Sequence, residues 1–363
     1  MSTLTPRPGI LDIAPYVAGR SEIGDRARVV KLASNESALG PSPRVVAAVE
    51  QAAGQVHRYP DGGSTDLREV LAEHYGLDPT RIVCANGSDE IFQLVCRAYV
   101  GQGDEVLYSE YGFLMYPIVA RAAGATPVTA PEVDMTADVD ALLKRVSKRT
   151  RVVFLANPNN PTGTYLSHDE VARLRAGLPP DVLLVVDAAY AEYVTKNDYD
   201  PGIRLVDQGD STIMTRTFSK IYGLAGLRLG WAYCPPGVAD VLNRMRGPFN
   251  VTLPAQIAGI EALRDVPHMD RAKNHNEEWR EWLTGQLEAL GLDVTPSVAN
   301  FVLVRFAQGD GRTAKEADAC LASQGILVRG MGVYGLPDCL RITVGLEQEN
   351  LAVVEALTGF LAD

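Results

Sequence analysis

Between residues 41 and 245, short apolar runs alternate with helical patterns. RIVCA, DEVLYS, TPVTA, TRVVFLA, DVLLVVD and STIMT are each followed by turn residues or a helix signal. Runs apolar at both alternating positions are buried on both faces, and with helices between them they predict a mainly parallel sheet in an α/β layer architecture. Arg81 to Ala85 leads into Asn86-Gly87-Ser88-Asp89-Glu90 and then IFQLVCRAYV, read as strand, turn and helix. Ser88 or Asp89 is the expected cap of that helix.

The pattern changes from about residue 246. Gly247-Pro248 precedes a long polar helix containing HNEEWREWLTGQLEAL, and strand-like NFVLVRF, ILVRG and LRITVG follow, with helices between and after. The expected organisation is a large α/β domain over 41–246 and a small α+β domain over 247–363. Residues 1–40 are rich in turn formers and too short to fold alone. They are expected to form an arm packed on the small domain or on a partner subunit.

Composition narrows the function classes. The 363 residues carry 34 basic and 45 acidic side chains, a net charge of −11, with 46% hydrophobic residues. That acidity disfavours nucleic acid and anionic membrane surfaces as partners. No apolar stretch approaches the roughly 18 residues of a membrane span, and the N-terminus has no apolar h-region, so the expected location is the cytoplasm. Five scattered cysteines lack a CxxC, and five histidines share no i, i+4 spacing or HExxH, so neither disulfides nor a metal is expected. Gly330-Met-Gly332-Val-Tyr-Gly335 matches G-x-G-x-x-G, but the β-like LRITVG follows where a dinucleotide site needs a helix.

Four segments carry chemistry: Asn157-Pro-Asn-Asn160-Pro161-Thr-Gly163, Asp187-Ala-Ala-Tyr190, Thr217-Phe-Ser219-Lys220 and Gly226-Leu-Arg228. Each is read as lying just past a predicted strand, at the carboxyl edge where open α/β sheets bind ligands. Singly, each has a plain structural explanation: a turn, a helix cap, a surface lysine, an ion pair. Together they supply what pyridoxal 5'-phosphate requires: an amine for the Schiff base, a carboxylate for the pyridine nitrogen, and an arginine with hydroxyls and helix N-terminal amides for the phosphate.

The set resembles the fold-type I aminotransferases, the aspartate aminotransferase superfamily, whose signatures are NPTG, a D-x-x-Y after a strand, and S-K-x-x-x-x-x-G-x-R. The last reads SKIYGLAGLR here, Ser219 to Arg228. Within that superfamily the chain is similar over nearly its whole length to the histidinol-phosphate aminotransferases, through ALGPSP (38–43), Arg58-Tyr59-Pro60, Asn86-Gly87-Ser88-Asp89-Glu90, NPNNPTG, SKIYGLAGLRLG and GILVRGMGVYGLPDCLRITVG. Ala188 departs from the glutamate common after the aspartate in these enzymes, at a position that is not a cofactor ligand.

The resemblance implies an α/β fold-type I pyridoxal-phosphate transferase: a mainly parallel seven-stranded sheet flanked by helices, plus a smaller α+β C-terminal domain. It implies Lys220 as the Schiff-base lysine and Asp187 as the pyridinium partner. Tyr190 and Asn160 would bond the phenolic oxygen, and Tyr111 would stack on the ring. Ser88, Asp89, Thr217, Ser219 and Arg228 would meet the phosphate, with Tyr59 reaching it from the neighbouring subunit of a homodimer. Tyr16, Asn35, Arg329 and Arg341 would bind substrate. The implied reaction is transamination between histidinol phosphate and 2-oxoglutarate, small-molecule amino donor and 2-oxo acid, in histidine biosynthesis. An aromatic amino-acid aminotransferase and a phosphothreonine decarboxylase are the alternatives.

Overall fold

The computed structural model describes residues 4–20, 22, 29–309 and 311–362. Seven strands form its central sheet, in spatial order Ile82–Ala85, Gly230–Tyr233, Thr212–Thr217, Leu183–Asp187, Thr150–Ala156, Glu105–Ser109 and Thr126–Ala130. Gly230–Tyr233 runs antiparallel to both neighbours, and the remaining pairings are parallel. Six of these strands coincide with the six apolar runs. The seventh, GWAY, is not among them.

Successive side chains point to opposite faces of a strand. Val106, Tyr108, Val152 and Phe154 accordingly join one apolar cluster with Ile91, Phe92 and Val95 of the helix Ser88–Tyr99. Leu107, Val153, Leu155, Leu184 and Val186 fill another cluster. Helices cover both faces, which is why the runs read as continuously apolar. Parallel strands end at a common edge: Asp187 and Thr217 are the last residues of theirs, and Asn157 directly follows Thr150–Ala156. Backbone bonds Asn157 N→Asp187 O and Ala188 N→Thr215 O, both 2.9 Å, hold these ends in register.

A second, antiparallel sheet orders Asp293–Thr295, Phe301–Arg305, Leu336–Thr343 and Arg329–Met331. Its core joins Val302, Val304 and Ile342 to Leu283, Leu321 and Leu357 from three helices. Gly330 lies in strand Arg329–Met331 and Gly335 leads into the next strand, so the glycine-rich segment joins two strands of this sheet. The architectural change falls later than residue 247. Helix Leu253–Arg264 still packs on the helices Pro43–Ala52 and Thr65–Tyr75, with Ala255, Ala258 and Ala262 in the same cluster as Leu67, Leu71 and Trp231. The 24-residue helix Val266–Ala289 then passes from that cluster, through Ala272, to the small-sheet core, through Leu283 and Leu287.

Val30–Lys31 pairs in parallel with Ile326–Leu327 beside the small sheet. The chain beyond it, from Ala33 to Asn35, is delivered to the edge of the large one, where Asn35 N bonds Thr343 Oγ1 at 3.0 Å. Among the described residues no helix is long and apolar enough to cross a membrane.

Candidate active site

A cleft opens at the carboxyl edge of the large sheet and is closed on its other side by Arg329, Tyr334 and Arg341 of the small unit. Lys220 stands in its wall, three residues past strand Thr212–Thr217. Its Nζ donates to Ser34 O at 3.2 Å and lies 5.7 Å from the centre of the Tyr190 ring. Burial, with Arg341 nearby, brings the amine down to about 8. An amine so tuned has a useful neutral fraction near neutral pH, as a nucleophile or proton carrier needs.

Asp187 is buried at the floor. Burial pushes its carboxyl up to about 6, against the hydrogen bond that Tyr116 Oη donates to Oδ2 at 2.8 Å. Its Oδ1 has a long 3.4 Å contact from Thr215 Oγ1 and keeps acceptor capacity.

At one end of the cleft the helix Ser88–Tyr99 begins at Gly87, with φ +81°, and no side chain caps it. The expected cap by Ser88 or Asp89 is therefore corrected. Both lie in the first turn, and Asp89 Oδ2 instead faces Arg228 Nη2 at 3.2 Å. Uncapped first-turn N–H groups make a helix N-terminus an anion site. Arg228, itself at φ +52°, also donates to Ser219 Oγ at 3.2 Å, and Ser219 N donates to Thr217 Oγ1 at 3.1 Å. A Cβ on Gly87 would stand 2.6 Å from Arg228 Nη2, and one on Gly230 2.4 Å from Ser88 N. The cradle closes only with glycine at both positions. Arg228 comes just before strand Gly230–Tyr233, not past a strand end; because that strand is antiparallel, its start shares the edge with its neighbours' carboxyl ends.

Asn157 and Asn159 serve the loop itself. Asn157 exchanges bonds with Leu166 N and O, and Asn159 Nδ2 donates to Thr162 Oγ1. Asn160 reaches the cleft and accepts from Arg341 Nη1, while Arg341 Nη2 donates to Ala33 O at 2.9 Å. Asn35, held at φ +54°, donates Nδ2–H to Tyr190 Oη at 2.9 Å and accepts from Thr343 Oγ1 at 3.2 Å. Chemically, this set can hold a phosphate at one end, a ring nitrogen against Asp187 and an aldehyde at Lys220.

The family described as Aminotransferase class I and II matches residues 27–357. The chain belongs to this family. It is 60% identical over 361 residues to a histidinol-phosphate aminotransferase of Paramagnetospirillum magneticum and 61% identical over 361 residues to one of Rhodospirillum centenum, covering 99% of both chains in each case. Its structure is similar to that of histidinol-phosphate aminotransferase from Sinorhizobium meliloti in complex with pyridoxal-5'-phosphate, with a TM-score of 0.91 and 31% identity, covering 100% of this chain and 98% of that one.

Within this aminotransferase, thirteen of the fifteen residues singled out from the sequence line one cleft: Tyr16, Asn35, Ser88, Asp89, Asn160, Asp187, Tyr190, Thr217, Ser219, Lys220, Arg228, Arg329 and Arg341. Tyr111 does not. Its ring packs with Leu303, Met331 and Cys339 on the small sheet, and Phe113 lines the cleft in its place. Tyr111 sits inside the turn closed by Gly112 N→Ser109 O at 2.8 Å, and Phe113 follows it. Tyr59 also stands away from the cleft of its own chain. It is 83% exposed and stacked on Phe249 at 4.6 Å. Sequence reasoning missed Phe113, Tyr116 and Tyr334. The first could have been found as the other aromatic of the YGF triplet, and Tyr334 as the aromatic inside the glycine-rich connection.

Proposed function

We propose that this aminotransferase uses pyridoxal 5'-phosphate to interconvert histidinol phosphate and 2-oxoglutarate with imidazole acetol phosphate and glutamate. The observation that carries the reading is the placing of three guanidiniums around Lys220. Arg228 sits at the uncapped helix start, where it serves the cofactor's phosphate, and Arg329 and Arg341 come from the small unit, where they serve the anionic groups of substrates. The near-full-length identity to two histidinol-phosphate aminotransferases supports the same choice of donor.

The residues present fit the cofactor: a glycine-lined cradle that excludes a Cβ, a buried acid with a free acceptor, and a buried Arg341 Nε with no protein partner among the described residues. When bound, the cofactor supplies an electron-withdrawing ring that acidifies the substrate's Cα–H. Asp187 would hold the proton on the ring nitrogen. Tyr190 Oη and Asn160 would bond the phenolic oxygen, and Phe113 would pack on the ring. Lys220 Nζ would hold the aldehyde carbon and, as a free amine, would carry the proton taken from Cα. Tyr59 completes the phosphate site of the partner subunit in a homodimer, which accounts for its exposure in the single chain. The cytoplasm is the proposed location.

A panel of amino donors with 2-oxoglutarate tests the reading. Histidinol phosphate is the preferred donor, and Arg329→Ala raises its KM more than that of phenylalanine. A wild-type preference for phenylalanine assigns the enzyme to aromatic amino acids instead.

A further inference from the structure

Tyr116 belongs to none of the motifs, yet it touches the acid on which the proposed chemistry turns. It sits at the start of helix Met115–Ala123 with its ring fully buried, stacked on Phe154 at 4.6 Å and 5°, and edge-on to Phe92, Tyr108 and Phe113. This cage of aromatics holds the ring from several sides and so fixes the direction of its hydroxyl. Nothing in such a cage calls for a polar atom. A buried hydroxyl costs free energy unless bonded, and phenylalanine would fill the same space. The hydroxyl donates to Asp187 Oδ2 at 2.8 Å across 71 positions of sequence.

We propose that Tyr116 is a positioning residue for Asp187: by occupying Oδ2 it leaves Oδ1 for the cofactor's ring nitrogen and keeps the carboxylate ionised, so that the shared proton stays on the ring. The inference rests on the reading of the cleft as a pyridoxal-phosphate site. Among side-chain contacts Oδ1 is the less engaged oxygen, with only a 3.4 Å approach from Thr215 Oγ1, while the Ala189 N–H also donates to the carboxylate. Tyr116 remains a donor throughout the working range, because burial and the neighbouring Asp187 raise its hydroxyl well above the ordinary tyrosine value. The bond it makes opposes the upward push of burial on Asp187. Without it, the carboxylate becomes the better base of the pair and draws the proton off the ring.

The test measures affinity instead of turnover. Apoenzyme of wild type and Tyr116→Phe is titrated with pyridoxal phosphate and with its 1-deaza analogue, in which carbon replaces the ring nitrogen. Loss of Tyr116 should weaken pyridoxal phosphate roughly tenfold, the scale of one hydrogen bond to a charged group, and leave the deaza analogue unchanged. Equal weakening of both ligands, or of neither, overturns the proposal, since a merely structural tyrosine does not distinguish nitrogen from carbon. The same substitution made in an Asp187→Asn background should add no further loss, and an additive loss there also overturns it. Failure of the wild-type apoenzyme to bind pyridoxal phosphate would instead overturn the cofactor reading, and this proposal with it.

Discussion

The Arg341 guanidinium donates to Asn160 Oδ1, tying the last strand of the small sheet to the loop after strand Thr150–Ala156. The same side chain reaches Ala33 O and lies 5.3 Å from the Phe301 ring centre, so its plane is set from three sides. A planar fork can keep these contacts and still offer paired donors to a carboxylate; a lysine ammonium cannot.

Arg341→Lys should therefore lower kcat/KM for 2-oxoglutarate by roughly 10- to 100-fold, the loss of one charge-assisted hydrogen bond at about 1.5 to 3 kcal/mol. Cofactor affinity should stay within about threefold of wild type, because the proposed phosphate cradle at Gly87 and Arg228 lies at the opposite end of the cleft. Steady-state kinetics with a parallel cofactor titration checks both halves.

Lys220, brought down from 10.5 to about 8, predicts how cofactor capture depends on pH. The neutral amine is the reactive form, and it is about one tenth of the total at pH 7 and about nine tenths at pH 9. The rate at which apoenzyme takes up the cofactor, followed by absorbance, should rise roughly tenfold between those values and then level off. A rate still climbing beyond pH 9 indicates an ordinary lysine.

Gly230 abuts the backbone of Gly87 and Ser88 so closely that a Cβ must displace the helix start. Gly230→Ala should cost about 1 to 3 kcal/mol of stability by overpacking. Its larger effect should be on the phosphate cradle, with cofactor affinity down at least about tenfold. Urea unfolding and apoenzyme titration separate the two.

These residues differ in how legible they were. Lys220, Asp187 and Arg228 stand in local motifs, and most of the parallel strands are apolar on both faces, so both could be read along the chain. Strand Gly230–Tyr233 is four residues between Arg228 and Pro235, too short to show a period, and only its antiparallel pairing reveals why Arg228 reaches the cleft. Tyr116 reads as one more apolar position of a helix, because the fold alone brings its hydroxyl to Asp187. Tyr111 lies in a turn and Phe113 just after it, where neither the strand nor the helix period says which side chain faces inward. Ser88 and Asp89 do not cap the helix because the chain enters it through Gly87 at positive φ, which places both in the first turn.

Tyr59 gives a test of the assembly. If it completes the partner's site, mixing Lys220→Ala chains with Tyr59→Phe chains yields heterodimers with one site free of both changes. Activity should recover toward half of wild type per heterodimer. Strictly additive activity of the two parent variants, with dimer formation verified, would place Tyr59 in its own chain's chemistry or in none.

Glu132 makes a pH prediction away from the chemistry. Its Oε1 accepts from Tyr111 N at 3.3 Å, and Oε2 is buried. Burial pushes the carboxyl from 4.5 up to about 7, helped by the charge of Glu110 and opposed by Ser109 and Tyr111 N–H. Below pH 4.5 the group is neutral in both folded and unfolded chains and has no effect on stability. Between about 4.5 and 7 the unfolded chain ionises while the folded one keeps its proton, so the folded state binds more protons and stability falls as pH rises. Above 7 the loss is complete, as much as roughly 3 kcal/mol for the whole shift. Glu132→Gln removes that ionisation while preserving shape, so the variant should gain on wild type as pH increases from 5 to 8. Urea midpoints of both proteins across this range check it: a variant-minus-wild-type difference that rises with pH supports the buried neutral acid, and one that is constant or falls rejects it.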